Sequence, residues 1–483
     1  MTSETRTTRP ALAVASLAAI GASVLLTITI GLLGPSAAVP ALAGPGWQPP
    51  YSTALGPSPH LVIGLEALAI VLGGLGLLGG LWSLRAGAFP VRVLVLLGCL
   101  VTVVLAFLPP SGSADHLNYA AYGRMVTLGL DPYTHGAVDL PGDPVARAVE
   151  EPWREEASVY GPVATAVQAL ASWIGGDSVR LTIFVLALVN AAAFIGTGLL
   201  LDRFTRHDEG ARLRAALLWT ANPLLIYQLV AGMHVDTLAI ACMVAALLAR
   251  RHPARSGLLL GLGVAVKLNA GLVALGPAWE LRRRPGRLAI MAGVALAVVV
   301  AGYAVAGADA LAPVTRTSKA ISFASFWKQF QGFLQSVVGT GSAYRGEIQV
   351  ASVLLLVLLA WLLFRTRTQV DDAAGVAAVL AVAYVFATPY VLPWYDGLAF
   401  GMLALAGASA VDRFAAVHLM ILSLGYLPAR VAQQPDSLEW LRSVVRQQVV
   451  PWALLALTLA LAGWAWTSAA RARRRPASAA PRQ

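Results

Sequence analysis

A few short runs group polar side chains capable of chemistry in a largely apolar chain. The richest is Ser113-Ala114-Asp115-His116-Leu117-Asn118-Tyr119-Ala120-Ala121-Tyr122-Gly123-Arg124, which leads to Gly129-Leu130-Asp131-Pro132-Tyr133. Leu117, Ala121, Met125 and Leu128 recur at helical spacing, with Ser113 as the expected N-cap and Gly129 just past the end. Asp115 then falls in the first turn, where the helix dipole favours an ionised carboxylate, so it suits either proton transfer or plain support of the helix start. Tyr119, Tyr122 and Arg124 follow it, donors suited to a sugar or a phosphate. His234 and Asp236, two apart, do not share a helix face, but a turn between short helices aims both into one cavity. With Asp115 they would suit a divalent ion such as Mg²⁺ or Mn²⁺, although no ligand spacing demands one. Lys267 is a charge inside an apolar segment, a costly placement usually kept for function, and within reach of an anionic group there. Trp394 and Tyr395 read equally well as a membrane-interface belt or as stacking surfaces for a sugar ring. Glu66 is a further carboxylate inside an apolar run, with no evident partner.

The elements that must position these residues are membrane helices. Of the 483 residues, 58% are apolar and 12% charged, against roughly 25% charged in a soluble domain, and mean hydropathy is +0.70. Apolar stretches at 11–33, 60–82, 91–108, 179–201, 214–231, 235–250, 288–307, 348–364, 373–388, 395–411, 413–428 and 449–467 read as about twelve transmembrane helices. The first is longer than a signal-peptide core, hence a retained anchor. A net charge of +11 would suggest nucleic acid in a soluble chain, but here the arginines collect at segment ends, so no nucleic-acid partner is expected.

The basic clusters at 6–9, 85–92, 203–214, 250–255, 282–287, 365–367 and 471–482 put both termini in the cytoplasm of a plasma-membrane protein. Residues 256–281 are apolar but basic at both ends, which predicts a broken re-entrant hairpin turning near Lys267-Leu268-Asn269. Irregular backbone at that depth is tolerated where it is buried or lines a polar cavity. The remainder is external: loops 109–178, 308–347 and 429–448, the first carrying an amphipathic helix on the membrane surface. The expected fold is thus an all-α polytopic membrane protein, one transmembrane domain over 1–467 with a basic tail at 468–483. Cys99 and Cys242 lie in apolar runs, which argues against disulfide and zinc frameworks, and no phosphate-loop motif suggests ATP-driven work.

Taken in order, several motifs resemble those of a known family. Asp115 with Tyr119 and Gly123, then Gly129-Leu130-Asp131-Pro132-Tyr133 and Tyr160-Gly161-Pro162, look like the first external loop of actinobacterial polyprenyl-phosphate-mannose-dependent mannosyltransferases, members of the GT-C superfamily. Asn222-Pro223-Leu224 followed by His234-Val235-Asp236, Lys267 in a broken helix, and Pro393-Trp394-Tyr395 are similar to later motifs of that family. The run around Asp115 departs from the family's usual neighbours. The resemblance implies a GT-C-like fold and an inverting glycosyltransferase with Asp115 as base, with Tyr119, Tyr122, Arg124, Tyr160, His234, Asp236, Lys267, Trp394 and Tyr395 around the substrates. It implies a polyprenyl-phosphate sugar donor, a glycan or glycolipid acceptor, and an active site on the external side among membrane lipids. The competing expectation is a secondary transporter or flippase, which shares a dozen helices and a broken segment. Two related halves, usual in transporters, are not evident in this sequence.

Overall fold

The computed structural model describes residues 4–83, 89–317, 319–340, 343–367 and 372–474, with side chains except at 4–9, 314, 316, 317 and 472–474. Arg85 and tail residues 475–483 lie outside the described residues, as do the side chains of Arg6, Arg9 and Arg316. Among the described residues all regular structure is helical.

The chain opens with α1 (Glu4–Leu33) and α2 (Pro59–Ser83), packed antiparallel, with Ser23 Oγ donating to Ala69 O at 2.7 Å. Small residues on facing sides let two such backbones approach, the usual means of association where lipid removes the hydrophobic drive. Next come α3 (Val91–Ala106) and the short α4 (Asp115–Thr127), which carries the first motif. α5 (Pro162–Gly175) and α6 (Val179–Thr205) enclose α4. α4 is not the surface amphipathic helix expected: His116, Leu117, Tyr119, Ala120, Ala121, Tyr122, Gly123 and Met125 are all buried. Its polar residues are taken up by the surrounding loop, Arg124 by Asp143 and Asp177, and Asn118 by the Trp153 carbonyl. The N-cap is Ala114 rather than Ser113, whose hydroxyl instead accepts from the Asp115 N–H at 3.1 Å. Gly129 follows the C-cap with φ +78°, the left-handed conformation glycine adopts without penalty.

The apolar run at 214–231 is two pieces, not one span. α7 (Glu209–Leu218) ends at Trp219, and Asn222 then caps a new turn, α8 (Pro223–Leu225), its Oδ1 accepting from Leu224 and Leu225 N–H. Proline lacks the N–H to continue a helix but is pre-set for a first turn, so Asn222-Pro223 stops one helix and starts another. A wide turn over Ile226–Ala231 leads to α9 (Asp236–Leu248).

α10 (Pro253–Val266) stops at Lys267, whose backbone is extended, and a tight helical stretch over Leu268–Ala274 leads into α11 (Leu275–Leu281). The segment doubles back, because Arg250 before it meets Glu280 near its end at 3.4 Å. α12 (Pro285–Ala306) then runs alongside α10. The loop 308–347 is itself helical in part, with α13 (Ala312–Thr317) and α14 (Phe326–Val337), and α15 (Arg345–Arg365) follows. α16 (Ala373–Ala387), α17 (Asp396–Leu405), α18 (Val411–Gly425) and α19 (Val450–Arg474) complete the bundle, and the expected loop 429–448 is helical from Leu441 into α19.

Among the described residues six helical stretches are long and apolar enough to cross a membrane: Pro10–Leu33, Pro59–Ser83, Val179–Thr205, Pro285–Ala306, Arg345–Arg365 and Asp436–Arg471. Val91–Ala106, Asp236–Leu248, Pro253–Val266 and Ala373–Ala387 are shorter apolar helices. About twelve full spans were expected. The shortfall comes from the break at Asn222-Pro223 within 214–231 and from the brevity of α3, α9, α16, α17 and α18, of which α17 is packed on neighbouring helices along its whole length. Such an array is a multi-pass membrane protein.

If α10 and α11 form an out-and-back excursion, α12 carries the chain across. Arg284→Cys and Phe330→Cys, each in a Cys99→Ala, Cys242→Ala background, should then label from opposite faces with an impermeant maleimide. Labelling of both from outside intact cells would remove the excursion.

Candidate functional site

Asp115 opens α4 with its side chain 29% exposed, while the ring of His234 behind it is fully buried. His234 Nδ1 lies 3.6 Å from Asp115 Oδ2, a close approach but longer than a hydrogen bond. Burial pushes the Asp115 carboxyl up to about 6, partly offset by the Lys267 ammonium and the Ser113 hydroxyl and reinforced by the Asp236 charge. The carboxyl therefore changes ionisation just below neutrality, where a general base is most useful. Its neighbour His116 is fully buried; burial and the Arg430 charge press it down to about 3, so it stays neutral.

The His234 ring is held from the far side. The Trp394 indole stacks on it at 3.6 Å between centroids and 14° between planes, and Tyr426 meets Trp394 edge-on at 5.2 Å. Two motifs far apart in sequence thus form one aromatic layer under the carboxylate. Arg446 in turn braces Tyr426, donating to the carbonyls of Gly425, Tyr426 and Pro428 at 2.7–2.8 Å.

Lys267 stands at the break between α10 and the tight turn. Its Nζ donates to both oxygens of Asp236, at 2.7 and 2.8 Å, and lies 4.2 Å from the Tyr395 ring centroid and 6.0 Å from that of Tyr160. Gly161 makes this approach possible: its N–H donates to Val266 O at 3.0 Å, and any side chain there would strike the Ala265 carbonyl. Tyr160 donates through its hydroxyl to Tyr119 at 3.3 Å, the rings meeting edge to face. Tyr122 is committed to the Glu156 carbonyl at 3.0 Å.

Asp115, Tyr119, Tyr160, His234, Asp236, Lys267, Trp394 and Tyr395 therefore form one cluster, with Tyr122 at its edge. Arg124 is apart, at the other end of α4, its guanidinium spanning Asp143 and Asp177 at 2.7 and 2.5 Å. Among the described residues no three His, Cys, Asp or Glu side chains are grouped to hold a metal ion. In the trio considered for Mg²⁺ or Mn²⁺, both Asp236 oxygens are engaged by Lys267.

A cavity of about 290 Å³ opens beside Lys267. Its lining combines Lys267, Asn269, Tyr384, Tyr390 and Tyr395 with Gln349, Ser352 and Thr388 and with the apolar Leu268, Val353 and Leu356. Asn269 belongs to the turn that the sequence marks as a cavity wall, whereas no motif points to Tyr384 or Tyr390. The one signal for Tyr384 is a hydroxyl inside the apolar α16, and its partner Asn269, 3.3 Å away, is 115 residues distant. Glu66, without a partner in sequence, accepts from the Tyr227 hydroxyl at 2.8 Å.

Comparison with known proteins finds a set of mannosyltransferases. The chain is 27% identical over 331 residues to alpha-(1->6)-mannopyranosyltransferase A of Corynebacterium glutamicum, a match covering 61% of this chain and 67% of that protein. It is 27% identical over 315 residues to the protein of that name in Mycobacterium tuberculosis, covering 59% and 60% respectively. A probable alpha-(1->6)-mannopyranosyltransferase of Mycolicibacterium smegmatis is 35% identical over 149 residues, 30% of this chain and 26% of that protein. The family model described as alpha-(1->6)-mannopyranosyltransferase, N-terminal domain, matches residues 18–283, which include Asp115, Tyr160, His234, Asp236 and Lys267. With more than half its length matched, the chain belongs to this family of actinobacterial mannosyltransferases.

Proposed function

We propose that the protein transfers mannose from a polyprenyl-phosphate donor to a glycan or glycolipid acceptor on the external face of the plasma membrane. In this reading the fold is GT-C-like and both termini are cytoplasmic. The observation that carries it is the part-open Asp115 carboxylate, near enough to Lys267 to be influenced by its charge, together with the cavity beside Lys267, whose tyrosine-rich lining also takes in Leu268, Val353 and Leu356. Such a cavity suits a lipid whose phosphate rests near Lys267 and whose isoprenoid chain leaves along Val353 and Leu356. The sugar and the α-(1→6) linkage are taken from the relatives' names.

In the step proposed, an acceptor hydroxyl gives its proton to Asp115 as its oxygen attacks the anomeric carbon. The bond from that carbon to the phosphate oxygen breaks, the configuration inverts, and polyprenyl phosphate leaves with the electron pair. The leaving group is already a good one, so a single base suffices. Lys267 has three N–H donors, and two directed at Asp236 leave one for the phosphate. His234, backed by Trp394, orients the carboxylate; Tyr119, Tyr160, Trp394 and Tyr395 surround the sugar, with Tyr122 at the rim.

Asp115→Asn keeps the shape and removes the base. Transfer of labelled mannose should fall by about 10²–10⁴-fold, a barrier rise of about 2.7–5.4 kcal/mol, with donor binding nearly unchanged. Asp131→Asn should leave the rate close to native, because Asp131 accepts from the Tyr133 N–H in a turn. Near-native transfer by Asp115→Asn would remove the assignment.

The carboxyl must be ionised to accept a proton, and its raised value places that ionisation at about pH 6. Plotted against pH, kcat/KM should rise with unit slope up to about pH 6 and stay level above. An acid limb at the ordinary carboxylate position, near pH 4, would mean that Asp115 is not enclosed as described.

Lys267→Ala alone would strand Asp236 as a buried, unpaired charge, at a stability cost of about 3–5 kcal/mol. The double change Lys267→Ala, Asp236→Ala removes both charges. It should recover most of that stability, read as the midpoint of thermal inactivation of donor-independent folding, and still bind donor weakly. Native donor affinity in the double variant would make Lys267 purely structural.

A further inference from the structure

At the opposite end of the bundle from Asp115 lies a second cavity, of about 450 Å³, with no part in the transfer step. It is lined by Arg92 from the first turn of α3, by Asp202 and Arg203 from the last turn of α6, by Arg206 and His207 after it, and by Arg212 of α7. α6 has 27 residues, about 40 Å of helix, and its first turns pack with Tyr119 and Tyr122, so this cavity sits a bilayer's thickness from the site.

Its charges are not self-neutralising. Arg212 takes both oxygens of Asp202, at 2.5 and 2.8 Å, which uses the only carboxylate in the lining. Among the described residues Arg92 and Arg203 pair with no carboxylate, and Arg206 touches only the His207 ring, at 3.0 Å. Three guanidinium groups therefore surround a space large enough for a phosphate ester. The helices above continue it: Val93 and Leu96 on α3, and Leu199, Leu200 and Phe204 on α6, are exposed apolar side chains within about two turns of the arginines. A free anion would need only the arginines, whereas a phospholipid uses both the arginines and the exposed apolar side chains of α3 and α6.

We infer that this cavity binds an anionic phospholipid, its phosphate among Arg92, Arg203 and Arg206 and its acyl chains against the exposed apolar side chains of α3 and α6. Guanidinium groups bind phosphate bidentately, and a charge-assisted hydrogen bond is stronger than a neutral one, so the seat discriminates by headgroup charge. An even layer of basic residues at a membrane surface would attract anionic lipid without holding any one molecule.

The test uses the purified full chain in detergent, with phosphatidylglycerol, phosphatidylcholine of the same acyl chains, or inorganic phosphate added. Bound lipid is counted by native mass spectrometry and stabilisation read as the thermal midpoint. Phosphatidylglycerol should stay bound and raise the midpoint of the native chain, with phosphatidylcholine and inorganic phosphate having little effect. Arg92→Gln, Arg203→Gln, Arg206→Gln should lose this, apparent affinity falling on the order of tenfold or more. A control with the same charge change elsewhere, Arg255→Gln, Arg283→Gln, Arg284→Gln, should keep it. Should the triple variant not fold, Arg203→Gln alone should show a partial loss. Equal binding by the triple variant, equal loss in the control, equal binding of phosphatidylcholine, or equal protection by inorganic phosphate would each overturn the proposal.

Discussion

The ion pair between Lys267 and Asp236 is the constraint around which the candidate site is arranged. Two charges enclosed among apolar helices are tolerable only if they satisfy each other and gain further polar contacts. Lys267 meets that demand with both Asp236 oxygens and the face of Tyr395, but only because α10 stops there. An unbroken helix would carry its side chain elsewhere. The break also exposes backbone to Gly161, whose N–H takes the Val266 carbonyl, and this draws the start of α5 and Tyr160 onto the pair. One electrostatic requirement thus fixes where α5, α9, α10 and the tight turn meet.

From that junction the carboxylate of Asp115 acquires its properties. His234 is two residues before Asp236, so the pair that anchors Asp236 also sets the imidazole behind Asp115. Trp394 closes the other side of that ring from a segment outside the matched family region, so the site is shared between the two halves of the chain. The surroundings are poor enough in water to raise the acid and close enough to Lys267 to limit the rise. The balance keeps Asp115 ionised at neutral pH and still basic enough to take a proton.

Much of the cluster was legible in the sequence. A lysine in an apolar run between two basic flanks marks a break, and Lys267 is where α10 ends. His234, Asp236, Trp394 and Tyr395 could be named from motif order, but the stacking of Trp394 on His234 could not, since no local pattern links residues 160 apart. The burial of α4 was hidden for a related reason. Asn118 and Arg124 look like solvent-facing residues until the loop supplies Trp153, Asp143 and Asp177 as partners. The split at Asn222-Pro223 was readable from capping rules, yet the apolar residues on either side masked it. Arg430 shows the limit most clearly: a nearly buried arginine held by Glu150 and the Ser36 carbonyl joins three loop segments that sequence separates widely.

The central claim is spatial: the donor phosphate rests at Lys267 and presents its sugar to Asp115. The most direct test is an electron cryomicroscopy structure with a non-transferable polyprenyl-phosphonate mannose analogue bound. The account predicts phosphonate oxygens within hydrogen-bond reach of Lys267 Nζ, the chain leaving past Val353 and Leu356, and Asp115 facing the anomeric carbon from the side opposite the leaving group. A phosphonate held elsewhere, or a sugar turned away from Asp115, would contradict it.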